Sequence, residues 1–258
     1  MKISDILLNN RRKISFEVFP PKSDVSFESV REATEEIASL SPSFMSVTYG
    51  AGGGTSKYTL DIAKNINEKY SVPSLAHLSC ISSTRETVRS RIEDMRASGI
   101  SNVMALRGDI PRGMENIPRE YKYAAELVRE LRAYGDEFCI GGACYPESHP
   151  ESKSPEEDIR FLREKVNCGL DFLTTQMFFD NSLYYAFLDR AGGAGINIPI
   201  IPGIMPVTSA SQIDRITSLS GSFLPKAFMK YLSASLRAIK KATARCTPNK
   251  RKHLGCHH

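Results

Sequence analysis

The stretch ISFEVFPPK, residues 14–22, places one carboxylate, Glu17, among six apolar or proline residues. An acid within such a run is costly unless it is paired or used. Strand alternation sets Phe16 and Val18 on one face and Ser15, Glu17 and Phe19 on the other. With Phe16 and Val18 packed outward against helices, Glu17 faces an interior, where loss of water raises its pKa and keeps part of it protonated near neutrality. A carboxylic acid held in that state can act as a general acid. A structural glutamate paired with a buried arginine or lysine fits the same position. Further polar groups recur at the ends of apolar runs: Thr48-Tyr49-Gly50, His77, Arg107-Gly108-Asp109, Tyr145-Pro146-Glu147-Ser148-His149 and Gln176. Taken singly, His77 and His149 read equally as satisfied interior histidines, and a helix-capping loop residue is the lesser reading of Asp109. Lys165 alone reads as a solvated helix residue.

The elements that would position these groups are short β-rich runs at 14–19, 44–50, 74–80, 102–108, 138–145, 171–177 and 197–203. Helical patterns lie between them. SFESVREATEEIASL carries apolar residues at helical spacing. SPEEDIRFLREKVNCG opens on an N-cap serine, a first-turn proline and early acids, and stops at Gly169. Regular β-α alternation predicts a parallel sheet. No GxGxxG follows the first run, so a dinucleotide-binding Rossmann unit is unsupported. Seven such units predict an α/β fold of the (β/α)8 TIM-barrel type, incomplete because no eighth strand is evident. Chemistry in that architecture sits at the C-terminal ends of the strands, where the polar groups recur. The expected organisation is one barrel domain over 1–232 and a divergent tail over 233–258. An unclosed barrel would leave the first and seventh strands with unpaired edges.

The chain of 258 residues carries a net charge of +5, unevenly placed. After Asp214 there are ten lysines and arginines and no acid, which leaves 24 basic against 29 acidic residues before it. The basic balance belongs to the tail and does not mark the whole chain as a nucleic-acid binder. No apolar run approaches the roughly 20 residues that span a bilayer, and MKISDILLNNRRK lacks the apolar centre of a signal peptide. Six cysteines, Cys80, Cys139, Cys144, Cys168, Cys246 and Cys256, form no CxxC pair, so reduced thiols and a cytoplasmic location are expected. Cys246, His253, Cys256, His257 and His258 match no standard zinc-finger spacing, and no metal is expected. AGGGT at 51–55 lacks the GK[ST] of a P-loop.

Seven segments together, ISFEVFPPK, FMSVTYGAGG, AHLSC, NVMALRGDIP, ACYPESHPESK, TTQMFFD and IIPGIMPVTSASQ, resemble in order the signature segments of the bacterial methylenetetrahydrofolate reductases. The resemblance runs from about residue 14 to about residue 232. It implies an FAD-dependent barrel that reduces 5,10-methylenetetrahydrofolate to 5-methyltetrahydrofolate. Electrons would come from NADH or NADPH by ping-pong hydride transfer. By motif, Glu17 matches the general acid, and Asp109 an aspartate beside flavin and pterin. Gln176 and Gln212 match substrate-side positions. Thr48, Tyr49, His77, Arg107, Gly108, Asp109, Tyr123, Tyr145, His149, Ser152, Asp158 and Lys165 match the FAD site. The resemblance makes AGGGT a loop over the flavin, sets Ile216 where a phenylalanine occurs in a bacterial relative, and carries homo-oligomeric assembly with it. It fades after PKAFMKYL, so a truncated, non-catalytic flavin-binding remnant is the competing reading.

Overall fold

The computed structural model describes residues 1–9, 11–21, 26–49, 56–110, 119–207, 212–213, 222–226 and 228–230, with backbone alone at 56 and 57. Strands β1 (Ser15–Val18), β2 (Phe44–Val47), β3 (Ser74–Ser79), β4 (Asn102–Leu106), β5 (Cys139–Cys144), β6 (Phe172–Thr175) and β7 (Ile200–Ile201) form one sheet in sequence order. Every neighbouring pair is parallel. Helices α2 (Phe27–Ser39), α3 (Ser56–Tyr70), α4 (Arg85–Ala97), α5 (Ala124–Arg132), α6 (Pro155–Asn167) and α7 (Asn181–Gly193) alternate with the strands. Among the described residues this is a (β/α)8 barrel short of its eighth strand. Each strand falls inside the run expected from the sequence. The loop at 51–55, Ile216 and the basic tail lie outside the described residues.

Local signals account for the helix limits. The Ser154 hydroxyl accepts from Glu157 N at 3.2 Å at the start of α6, with Pro155 in the first turn. Its C-terminal side passes Gly169, whose φ of +115° is open to glycine. Arg132 closes that corner, donating to Gly169 O at 2.6 Å and to Asp171 Oδ2 at 2.9 Å. At Thr84 the same device starts α4: its hydroxyl accepts from Thr87 N at 3.1 Å.

Two apolar cores lie on opposite faces of the sheet. Outward residues such as Val18, Met45, Val47, Leu78, Val103, Ile140 and Leu173 pack under the helices. Inward residues Phe44, Leu75, Met104, Cys139 and Phe172 form the second core, and Ile3 completes it. Ile3 belongs to α1 (Ile3–Leu7), a five-residue helix that the sequence reading did not anticipate. It acts as a plug. Asn102 holds it, accepting from Ile3 N at 2.8 Å and donating to Met1 O at 3.2 Å and to Ser74 O at 3.1 Å. Gly141 makes room for Phe172: a Cβ there would stand 2.5 Å from the ring.

One expectation for β1 holds in part. Val18 is buried in the outer core, whereas Phe16 is 39% exposed. The cause is position, because β1 pairs only with β2 among the described residues and so forms an edge of the sheet.

Replacing Asn102 by alanine strips the plug of its buried partners. A loss of about 1–3 kcal/mol in urea unfolding is expected, with faster hydrogen exchange at the Ile3 amide. An unchanged Ile3 exchange rate would show that α1 is held by packing alone.

Candidate active site

The inward face changes character along its length. Two residues beyond the apolar layer, the same face presents Glu17, Ser46 and His77, with Ser79 two residues further on. Glu17 pairs in register with Ser46, and the Ser46 hydroxyl donates to Glu17 Oε2 at 3.3 Å. His77 Nε2 lies 3.6 Å from the same oxygen. The Glu17 side chain is 47% exposed and His77 only 9%, so the acid borders the mouth while the imidazole lies beneath it.

Burial governs both groups. It raises the Glu17 pKa, partly opposed by the Ser46 hydrogen bond. The surface exposure of Glu17 does not cancel this, because its carboxylate is crowded by strand residues while the side chain still touches solvent. Burial also lowers the His77 pKa to about 4. With His77 neutral at pH 7, the 3.6 Å contact is not an ion pair. No lysine or arginine among the described residues reaches ion-pair distance of Glu17, which disfavours the structural-pair reading.

A second group gathers beyond β4 and β5. The Arg107 guanidinium holds Glu151 in a two-pronged ion pair at 2.6 and 2.7 Å. The pair raises the Arg107 pKa and lowers that of Glu151. Arg107 also donates from Nε to Gly108 O at 3.4 Å. Gly108 needs its φ of +82°, and a Cβ there would stand 3.0 Å from Ser79. Exposed Asp109 follows. Tyr145 and His149 meet edge to face at 4.8 Å, and burial raises the Tyr145 pKa and lowers that of His149. His149 Nδ1 accepts from Glu151 N at 3.0 Å. The Ser152 hydroxyl donates to Asp158 Oδ1 at 2.8 Å. Lys165 reaches under β5 to donate to Ala143 O at 2.5 Å, and burial lowers its pKa.

Tyr145, His149, Ser152, Lys153, Gln176 and Met177 help to line a cavity of about 340 Å³. Glu147 crosses its wall: Oε2 accepts from Phe223 N at 2.6 Å, and Oε1 is buried with no hydrogen-bond partner. Ser222 adds a bond to Met177 O at 3.2 Å.

The expected residues therefore divide. Glu17 and His77 meet on the inner face of β1–β3, and Thr48 follows β2, its amide donating to Val18 O at 3.0 Å. Arg107, Gly108, Asp109, Tyr145, His149, Ser152, Asp158, Lys165 and Gln176 lie at or beyond β4–β6. Three others fall in neither set. Tyr49 packs on the outer core, Tyr123 is 63% exposed at the start of α5, and Gln212 donates to Pro206 O at 3.3 Å. The sequence reading did not single out Ser46, Glu147 or Glu151 as site residues. Strand parity with Glu17 could have found Ser46, but nothing local marks Glu151 as the partner of Arg107, 44 residues away.

A parallel barrel with an acid, a neutral imidazole and a polar cavity at its C-terminal strand ends has the layout of a barrel enzyme. The solved structures agree on the fold. One titled an uncharacterised protein from Clostridium thermocellum that binds two copies of 5-methyl-5,6,7,8-tetrahydrofolic acid aligns with a TM-score of 0.61 at 16% identity, over 95% of this chain and 87% of that one. A 2,3-dimethylmalate lyase aligns at 0.56 and 14% identity, over 98% and 90%. The sequence is more specific: residues 2–250 match the methylenetetrahydrofolate reductase family, and the chain belongs to it. The 5,10-methylenetetrahydrofolate reductase of Pectobacterium carotovorum subsp. carotovorum is 38% identical over 84% of this chain and 72% of its own length. Methylenetetrahydrofolate reductase 2 of Schizosaccharomyces pombe is 37% identical over 91% of this chain, which spans only 40% of that protein.

Burial of His77 has a pH signature. Its pKa falls from 6.5 to about 4 on folding, so the unfolded chain binds the extra proton between those values. The associated stability is present above pH 6.5 and is lost as pH falls towards 4, about 3 kcal/mol in all. His77→Gln should lose less stability than the wild type between pH 7 and 4 in urea titrations. Equal losses would mean that His77 titrates normally.

Proposed function

We propose that this chain reduces 5,10-methylenetetrahydrofolate to 5-methyltetrahydrofolate, with FAD as resident cofactor and NADH or NADPH as electron donor. The observation that carries the reading is Glu17. It stands on the inward face of the first strand, with its pKa raised by burial and its Oε2 accepting from Ser46. Such a carboxyl keeps a proton at a pH where an ordinary glutamate has lost it. It would deliver that proton to the bridging nitrogen of the folate, opening the five-membered ring to a cation.

The residues beyond β4–β6 fit a flavin dinucleotide. The cavity of about 340 Å³ has an aromatic wall at Tyr145 and His149, and a buried unpaired oxygen on Glu147. Asp158 with Ser152 offers an acceptor and a hydroxyl for sugar hydroxyls. Lys165 brings a cation for a phosphate, and Arg107 does so once it shares Glu151. FAD bound there would supply the relay of a hydride from the nicotinamide to the folate. Exposed Asp109, close in sequence to Arg107, would favour the positive charge that develops on the opened substrate. Gln176 lines the cavity and can pair with a pterin as donor and acceptor at once.

Purified protein should be yellow or take up added FAD. Its absorbance should bleach with NADH or NADPH and return on adding 5,10-methylenetetrahydrofolate. In Glu17→Gln the return should slow by about 10² or more, the range for loss of a general acid. Protein that binds flavin but is never reoxidised by the folate would identify a non-catalytic remnant. Protein that refuses FAD would defeat the reading altogether.

A further inference from the structure

The His77 imidazole, which the family resemblance sets beside the flavin, also faces the Glu17 carboxyl. Its Nε2 is buried with no hydrogen-bond partner and points towards Glu17 Oε2, 3.6 Å away. The side chain is nine-tenths buried. Leaving a ring nitrogen unpaired in such a place costs about 1–3 kcal/mol. A change in the Glu17 side-chain torsions of a few tenths of an ångström at the oxygen would bring the two atoms within hydrogen-bond range.

We propose that His77 is a positioning residue for Glu17: its Nε2 carries no proton and accepts the one on the Glu17 carboxyl, so the acid is kept loaded and aimed into the mouth. The proposal rests on the reading of Glu17 as the proton donor. Chemistry fixes the direction of the bond. A neutral imidazole has one donor and one acceptor nitrogen, and a protonated carboxyl is the complementary donor. Burial favours the uncharged form of both partners, so a shared proton suits them better than an ion pair. The groups facing the pair are few. From β2 comes the Ser46 hydroxyl, and from β4 Met104, the register partner of His77. Among the described residues no charged group acts on either partner: burial and the Ser46 hydroxyl govern Glu17, and burial alone governs His77. Ser46 donates to Oε2, so it steadies the ionised acid, whereas His77 steadies the protonated one. The two neighbours thus pull the carboxyl in opposite directions, and the balance decides its proton occupancy.

The test uses the intact chain without substrate. Histidine labelled with 15N reports which ring nitrogen of His77 holds the proton, the resonance being assigned by its loss in His77→Gln. At neutral pH we expect Nδ1 protonated and Nε2 bare. Glutamate labelled with 13C at the carboxyl reports the Glu17 titration, assigned by its loss in Glu17→Gln. In His77→Ala, where water replaces the acceptor, the Glu17 midpoint should fall by about one unit or more, a tenfold drop in protonated fraction above it. His77→Gln, whose amide oxygen can accept from the same place, should restore most of that shift. A proton on Nε2 in the wild type, an unmoved midpoint in His77→Ala, or a glutamine variant matching the alanine one would each overturn the proposal. If His77→Ala does not fold, the wild-type tautomer alone decides. None of these readouts needs turnover, so a chain that fails to reduce the folate would leave this result standing on its own.

Discussion

The two-residue period of a β-strand is the constraint on which this molecule depends. In a closed or nearly closed parallel sheet, every second side chain faces the interior, and register aligns those side chains across strands. Here that interior face carries apolar Phe44, Leu75, Met104, Cys139 and Phe172 together with polar Glu17, Ser46 and His77, Leu75 standing in register with Ser46 and Met104 with His77. The apolar neighbours exclude water. The pKa shifts of Glu17 and His77 therefore follow from loss of water rather than from any strong charge nearby. A slip of one residue in β1 would send Glu17 to the helices and Phe16 to the mouth.

The site has two electrical halves. Around Glu17 the dominant effect is removal of water, which neutralises. Beyond β4 and β5 it is pairing, which fixes charge: Arg107 with Glu151 stays ionised across ordinary pH. A half where loss of water favours neutral groups is thus distinct from a half where pairing favours charged ones.

Much of this was legible in the sequence. All seven strands lie within the apolar runs, because β-branched and apolar runs bounded by turns leave a local mark. The helix from Pro155 announced itself by its cap and its proline. Helix α1 did not, since five residues carry no full helical period and its reason for existing is a hole made by distant strands. Glu17 could be placed from parity alone, but its neighbours could not, because Ser46 and His77 come from other strands. The same limit hid the partner of Arg107. Phe16 misled because parity says which way a side chain points and nothing about whether a helix waits there.

The plug at the base has a bearing on how the chain is made. Ser4 N donates to Cys139 Sγ at 3.4 Å, and Lys2 Nζ to Asp136 O at 2.5 Å, so α1 and its flank bind partners more than 130 positions later. Until β5 has been synthesised, the N-terminal helix has no complete socket. Contacts of such wide sequence separation are slow to form and leave apolar surface uncovered meanwhile. Nascent chains that end before β5 would therefore carry Ile3, Ile6 and Leu7 without their packing partner Cys139.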